Sequence, residues 1–134
     1  MPLSGRKIII RMISGTLKNI ESATVKIPTL LDKVESKTGE VSYKWKVNVM
    51  DTSPYWEEWF KGLSDMFNSL KVPKTLMVTS IDKLDIPLSI GHMQGKFKLD
   101  VILGTGHFIQ EDKPEKVADS IKTMMELFGI SNNN

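Results

Sequence analysis

The sequence has 134 residues, a net charge of +2 and 40% hydrophobic residues, a composition typical of one globular domain large enough for a core. The small net charge argues against nucleic acid as a partner. Without cysteine, and with only His92 and His107, the sequence excludes disulfides, thiolate metal sites and multi-histidine metal sites, and no cofactor is expected. No apolar run approaches the roughly 20 residues of a membrane span.

The start of the chain is basic. Residues 1–10 are predicted to be disordered, and the first acid is Glu21, after Arg6, Lys7, Arg11 and Lys18. This pattern has a faint likeness to a mitochondrial transit peptide, but an ordinary basic terminus is the preferred interpretation. We expect a cytoplasmic or nuclear protein, with the mitochondrion as the alternative.

The first half of the chain mixes helical and strand patterns. Residues 8–31 predict one or two short helices broken at Gly15 and Pro28, and the polar residues 32–40 predict a loop. Residues 41–49 alternate apolar and polar side chains, which indicates a half-buried strand with a basic outer face. For Trp45, core packing is favoured over stacking on a ligand.

Residues 53–70 carry the strongest amphipathic signal. Ser53 can cap a helix and Pro54 suits its first position. Apolar residues then recur at steps of three and four, namely Trp56, Trp59, Phe60, Leu63, Met66, Phe67 and Leu70. Such a face usually packs into a core, and the alternative is a groove for a partner.

The second half predicts two strands, each followed by a candidate site residue. The apolar strand 75–79 leads to Asp82, at a point where α/β folds place their chemistry, although an isolated aspartate more often forms a turn or a cap. Residues 87–94 form a helix or loop, and strand 97–103 leads to His107 in a glycine-flanked turn. An imidazole there could take and return a proton near neutral pH.

The last helix is predicted over residues 114–128. Asp112 would cap it, with Glu115 completing a capping box and Pro114 in the first turn. Its inner face would carry Val117, Ile121, Met124, Met125 and Phe128. Gly129 would stop it, and residues 131–134 should fray.

The order of these elements matches one class of enzyme. In α/β-type serine hydrolases the catalytic triad follows the chain order nucleophile, acid, base, and the base follows the last strand. Asp82 and His107 fit the last two places in this order.

Several stretches resemble one family closely, the protein phosphatase methylesterases, over about residues 11–128. The resemblance lies in Leu17-Lys18-Asn19-Ile20-Glu21-Ser22-Ala23-x-Val25, Tyr55-Trp56-x-x-Trp59-Phe60-x-Gly62-Leu63-Ser64, Val72-Pro73-Lys74, Ile81-Asp82-Lys83-Leu84-Asp85, Gly91-x-Met93-Gln94-Gly95-Lys96-Phe97 and Gly106-His107-x-x-x-Glu111-Asp112-x-Pro114-x-Lys116-Val117-Ala118. It corresponds to the C-terminal third of that family.

The resemblance implies the C-terminal part of an α/β-hydrolase fold, made of the last strands and their flanking helices in an incomplete sheet. The implied activity is hydrolysis of the methyl ester on the C-terminal leucine of the type-2A protein phosphatase catalytic subunit. His107 would be the triad base and Asp82 a candidate acid. Met93, Gln94 and Lys96 would lie near the site, on the side that meets the phosphatase, or close a loop over the core.

The sequence departs from the family in four respects. It contains no Gly-x-Ser-x-Gly nucleophile motif, so this chain alone is predicted to be inactive. The family's acid is thought to come from an earlier strand, which competes with Asp82. Residues 32–40 are short where some relatives carry an acidic insertion, and His92 stands where relatives usually have glutamine.

The sequence therefore predicts that residues 11–130 form the C-terminal portion of one α/β-hydrolase domain. Two other functions stay open, a non-catalytic phosphatase-binding fragment and a small α+β interaction domain. We also expect association with a missing N-terminal part, or self-association.

Overall fold

The computed structural model describes residues 15–130, which form helices and two small sheets. In chain order the elements are α1 (Ile20–Thr29), β1 (Leu31–Glu35), β2 (Val41–Trp45), a 3-10 helix (Val49–Tyr55), α2 (Trp56–Phe60), α3 (Leu63–Ser69), β3 (Thr75–Val78), a second 3-10 helix (Ile81–Lys83), α4 (Ile86–Met93), β4 (Lys98–Val101), α5 (Ile109–Asp112) and α6 (Pro114–Leu127). The predicted disordered start and frayed tail lie outside the described residues.

The first helix continues past Pro28, where the sequence predicts a break. α1 includes Pro28 and ends one residue later, so Pro28 does not break it. Asn19 caps the helix, and its side-chain oxygen accepts a hydrogen bond from Ser22 N at 3.1 Å.

The segment predicted as a loop over residues 32–40 is a strand at residues 32–35 and a turn at residues 36–40, so the prediction is wrong for its first part and confirmed for the rest. β1 pairs with β2 in antiparallel register from Leu31↔Trp45 to Glu35↔Val41, and Gly39 turns the chain with φ +79°. The strand tolerates polar residues because β2 pairs with its backbone N–H and C=O groups, while most of the polar side chains face solvent.

β2 is shorter and less buried than predicted. It ends at Trp45, and Val49 already belongs to the first 3-10 helix. The predicted core packing of Trp45 is wrong among the described residues, because the side chain is 46% exposed.

The single helix predicted over residues 53–70 is instead three pieces. Ser53 and Pro54 lie inside the first 3-10 helix, and α2 begins after them without a side-chain cap. Gly62, at φ +70°, separates α2 from α3. This left-handed conformation suits glycine, and it interrupts the helical pattern that the apolar spacing suggests.

The apolar side of α2 and α3 does not form the predicted core. We define the aromatic face as Trp59, Phe60, Leu63, Met66 and Leu70, all of which are about half exposed or more in the described part of the chain. Trp56 and Phe67 are the exceptions in this region, because both are partly buried. The Phe67 ring lies 5.2 Å from that of Phe97.

The predicted order of elements after residue 72, a strand, a crossover, a second strand and a final helix, is confirmed. β3 and β4 are parallel neighbours, in register from Thr75↔Lys98 to Val78↔Val101, and α4 crosses between them. β4 is shorter than the predicted strand 97–103. Asp85 caps α4, since its carboxylate accepts a hydrogen bond from Leu88 N at 2.9 Å.

The main buried cluster lies at the N-terminal side of the described chain. Leu17, Ala23, Ile27 and Leu31 form it, with Leu30, Tyr43 and Phe108 packed against it. Because Phe108 directly follows His107, the cluster reaches the loop after β4.

The last helix begins at Pro114 as predicted and ends before Gly129, which has φ +66°. Its predicted inner face is only partly covered, with Ile121 and Phe128 each 51% exposed. Within residues 15–130, the helices are all too short or too polar to cross a bilayer.

Candidate active site

The two candidate catalytic side chains lie at the same edge of the parallel sheet. Asp82 lies in the 3-10 helix after β3, and His107 lies in the loop after β4. The carboxyl ends of parallel strands meet at one edge, as the sequence predicts for these residues. Both residues are exposed, and among residues 15–130 no hydrogen bond or ion pair joins them.

The backbone beside His107 is closely held. Gly104 turns the chain at φ +79°, and the buried Thr105 donates its hydroxyl hydrogen bond to Ile102 O at 2.9 Å. Gly106 is buried, and Phe108 N donates to Thr16 O at 3.4 Å. The imidazole is therefore carried by a loop whose peptide groups are fixed on both sides.

Asp112 is the main polar anchor of this loop. Its Oδ2 accepts a hydrogen bond from Gly106 N at 2.6 Å, and its Oδ1 accepts from Lys18 N at 2.6 Å and Asn19 N at 2.7 Å. One carboxylate thus joins the N–H of Gly106, the residue before His107, to the two residues that directly precede α1.

The predicted capping role of Asp112 is wrong. Asp112 is the last residue of α5, and the N-cap position of α6 is Lys113, which makes no side-chain capping bond. The carboxylate is occupied by three backbone donors elsewhere, so it does not cap the helix that follows.

These donors also set the charge state of Asp112. Partial burial raises the pKa of the carboxyl, but the N–H groups of Gly106, Asn19 and Lys18, with the Lys18 charge, outweigh this effect. The pKa is therefore below its ordinary value, and the anchor is an ionised carboxylate at neutral pH.

Further contacts tie α1 to the segment after His107. Ser22 Oγ donates to Glu111 O at 2.7 Å, and the Lys26 ammonium lies 3.4 Å from the Glu111 carboxylate. The same ammonium lies 5.6 Å from the centre of the Phe108 ring. The N-terminal helix is thus part of the support of the candidate site.

The predicted binding residues Met93, Gln94 and Lys96 follow one another at the end of α4. All three are exposed, and Met93 is 85% exposed. Gly95, at φ +68°, turns the backbone there, and Lys96 N donates to Gly91 O at 2.9 Å. Asn68 seats the helix, because its Nδ2 donates to Pro87 O at 2.8 Å.

A second carboxylate with a shifted pKa lies on β4, away from this loop. Burial raises the pKa of the Asp100 carboxyl. Hydrogen bonds from Lys98 and Ser120, together with the Lys98 charge, lower it by more, so the pKa is below its ordinary value. Lys98 Nζ lies 2.8 Å from Asp100 Oδ1, and the Ser120 hydroxyl donates to Oδ2. This network joins β4 to α6.

Among residues 15–130, no group of three or more histidine or acidic side chains could hold a metal ion.

Several curated proteins that are similar to this chain share one name. They are protein phosphatase methylesterases, and the chain is 41% identical over 108 residues to the probable protein phosphatase methylesterase 1 of Caenorhabditis elegans, covering 81% of this chain and 29% of that protein. For protein phosphatase methylesterase 1 of Gibberella zeae the identity is 44% over 108 residues, covering 81% and 27%. For that of Homo sapiens it is 42% over 94 residues, covering 70% and 24%.

The chain is therefore a relative of the protein phosphatase methylesterases, and the predicted resemblance is confirmed. It spans only about a quarter of the length of these curated relatives, and the matched part is their C-terminal part. No family model matches the chain.

Proposed function

We propose that this chain is the C-terminal part of an α/β-hydrolase fold that hydrolyses the methyl ester of a protein phosphatase, with His107 as its triad base. The observation that carries the proposal is the similarity to methylesterases across 81% of the chain. The parallel pair β3–β4, with His107 in the loop after its last strand, supports it.

In the proposed reaction His107 acts on a serine supplied by a part of the fold that this sequence does not contain. The imidazole takes the serine proton as the oxygen attacks the ester carbonyl, and the imidazolium then protonates the departing methoxide oxygen, which leaves as methanol. It next takes a proton from the water that attacks the acyl-enzyme, and returns it to the serine. The exposure of His107 at the sheet edge is compatible with access to both groups.

Asp82 is the proposed acid within this chain, and an aspartate from an earlier strand is the alternative. Asp82 follows β3, the strand directly beside β4, so its carboxylate and His107 share one sheet edge. In the proposed triad the acid orients the imidazole and stabilises its charged form.

The proposed substrate is the type-2A protein phosphatase catalytic subunit, methylated on its C-terminal leucine. Met93, Gln94 and Lys96 would contact it beside the site. A flexible apolar side chain as exposed as Met93 suits a protein interface, and Lys96 adds a positive charge. This exposure also favours a second candidate function, a non-catalytic fragment that binds the phosphatase.

The test uses a full-length chimera, in which residues 11–130 replace the matching C-terminal segment of the Caenorhabditis elegans relative. We expect the chimera to release methanol from the methylated phosphatase catalytic subunit and to react with a fluorophosphonate probe. The 134-residue chain should do neither, because it has no Gly-x-Ser-x-Gly motif.

The parent worm protein is the positive control. A folded chimera without hydrolysis would contradict the proposed function, and stoichiometric labelling of the 134-residue chain would show that another serine is activated. Capture of the phosphatase by an inactive chimera would favour the binding fragment instead.

The close approach at Gly106 predicts a stability effect in the chimera. A Cβ at Gly106 would lie 2.5 Å from Thr16 C and 3.0 Å from Leu17 N, and both are backbone atoms. Gly106→Ala is therefore expected to lower the free energy of unfolding by about 1–3 kcal/mol, as overpacking does. Urea unfolding of the chimera measures it.

Gly15→Ala is the matched control, because none of the residues 15–130 has an atom within 4 Å of a Cβ at Gly15. We expect it to leave the urea midpoint nearly unchanged. Equal midpoints for the two variants would show that the loop does not pack against Thr16 in solution.

A further inference from the structure

We propose that Asp112 is a positioning residue for His107, because its carboxylate clamps the N–H of Gly106, the residue before His107, to the two residues that directly precede α1. The inference rests on the proposed function, in which His107 is the triad base. The structure carries it through the two oxygens of one side chain, which bind backbone groups from distant parts of the sequence.

The three hydrogen bonds place the clamp immediately beside His107. Gly106 N, bonded to Oδ2 at 2.6 Å, belongs to the residue directly before it. Oδ1 holds Lys18 N and Asn19 N, 94 and 93 residues away along the chain. The clamp therefore fixes the loop that carries His107 relative to the start of α1, a separate part of the structure.

The packing of the loop also restricts backbone movement on both sides of His107. The absence of a Cβ at Gly106 lets its backbone lie against Thr16, and Phe108 N donates to Thr16 O at 3.4 Å. Phe108 packs against the buried cluster that contains Leu17 and Ile27. His107 thus lies between two anchored residues, and the Asp112 bond is the polar anchor on its N-terminal side.

The chemistry of the clamp requires a carboxylate. An ionised aspartate offers only acceptors, so both of its oxygens can face N–H donors. An asparagine has one acceptor oxygen, and its NH2 group would face the Gly106 N–H or the pair from Lys18 and Asn19. The clamp bonds run to backbone N–H groups, so Asp112 acts on His107 through the backbone and is not itself a catalytic residue.

The experiment compares Asp112→Asn with Asp119→Asn in the full-length chimera. Asp119 lies exposed on α6 and undergoes the same loss of charge, and no side-chain hydrogen bond of Asp119 is present among residues 15–130. Two quantities are measured: hydrogen exchange of the amides in residues 103–112, and turnover per serine that a fluorophosphonate probe can label.

We expect Asp112→Asn to speed exchange at Gly106 and to lower kcat per labelled serine by roughly 10- to 100-fold, the scale of a small misplacement of a catalytic group. KM should stay within about twofold, because substrate contacts are intact. A role only in overall stability would instead reduce the number of labelled serines and speed exchange throughout the protein. Asp119→Asn should change neither quantity.

Asp112→Glu is the second variant, in case Asp112→Asn does not fold. It keeps the charge and both acceptors but shifts them by one methylene, so we expect an intermediate loss of turnover. Turnover and exchange equal to those of Asp119→Asn in a folded Asp112 variant would overturn the inference. An unsubstituted chimera that folds without hydrolysing the ester would instead count against the proposed function, and the exchange data would still show whether Asp112 holds the loop.

Discussion

Replacing His107 by alanine in the full-length chimera is expected to lower kcat by roughly 10³-fold or more, since loss of a triad base removes proton transfer at every step. The fold should be unaffected. The His107 side chain is exposed and forms no hydrogen bond among residues 15–130, so little packing is lost. Steady-state hydrolysis of the methylated phosphatase subunit gives kcat, and a thermal melt gives the stability.

His92→Ala is the matched control, because His92 is the other histidine of the sequence and is also exposed. It lies on α4, and we expect it to retain turnover close to that of the unsubstituted chimera. Near-normal hydrolysis by the His107 variant would show that the base assignment is wrong. Equal losses in both variants would point to a general effect of removing an imidazole.

The second large effect concerns the 134-residue chain on its own, which we expect to self-associate or to lack a cooperative thermal transition. In the described part of the chain, β3–β4 is a two-stranded parallel sheet, whereas parallel sheets are ordinarily larger and covered on both faces. Two-stranded pairs have little independent stability, and open strand edges favour aggregation. The exposed aromatic face adds apolar surface of the kind that drives association.

Light scattering after size-exclusion chromatography measures the association, and circular dichroism measures the thermal transition. The control is the full-length chimera, which we expect to be a monodisperse protein with a sharp transition. A monodisperse monomer of the 134-residue chain with a sharp two-state melt would contradict the expectation. It would also favour the small interaction domain among the functions considered.

The sequence predicted the second half of the fold well because its signals there are local. An apolar run at residues 75–79 and an alternating pattern at residues 97–103, separated by Pro87 and glycines, were enough to predict two strands and a crossover. The parallel pairing of β3 and β4 then follows from the length of the connection. The positions of Asp82 and His107 after these strands were predictable for the same reason.

The first half shows where such signals end. β1 contains Asp32, Lys33 and Glu35, and this polar composition does not indicate a strand. The segment is a strand because it pairs with β2. Periodicity also missed the interruption at Gly62, because the apolar spacing continues across it. In both cases the backbone conformation was decided by a partner or by a single residue, and not by the pattern.

The role of Asp112 could not be predicted from its neighbours in the sequence. An aspartate three residues before a glutamate is a good capping box by local criteria. Its actual partners Lys18 and Asn19 lie 94 and 93 residues away, and no local pattern relates them to it. The resemblance of the stretch around Lys18 to the family was the one signal available, and it did not say what that stretch contacts.

The distance along the sequence between Lys18 and Asp112 has a consequence for the order of folding. Closing a loop of 94 residues costs more chain entropy than closing a hairpin such as β1–β2, and contacts of high sequence separation slow folding. During synthesis, α1 leaves the ribosome well before its partner loop is made. The loop that carries the imidazole is thus expected to assemble among the last contacts, so the proposed base would not yet be positioned in a partly folded or nascent chain.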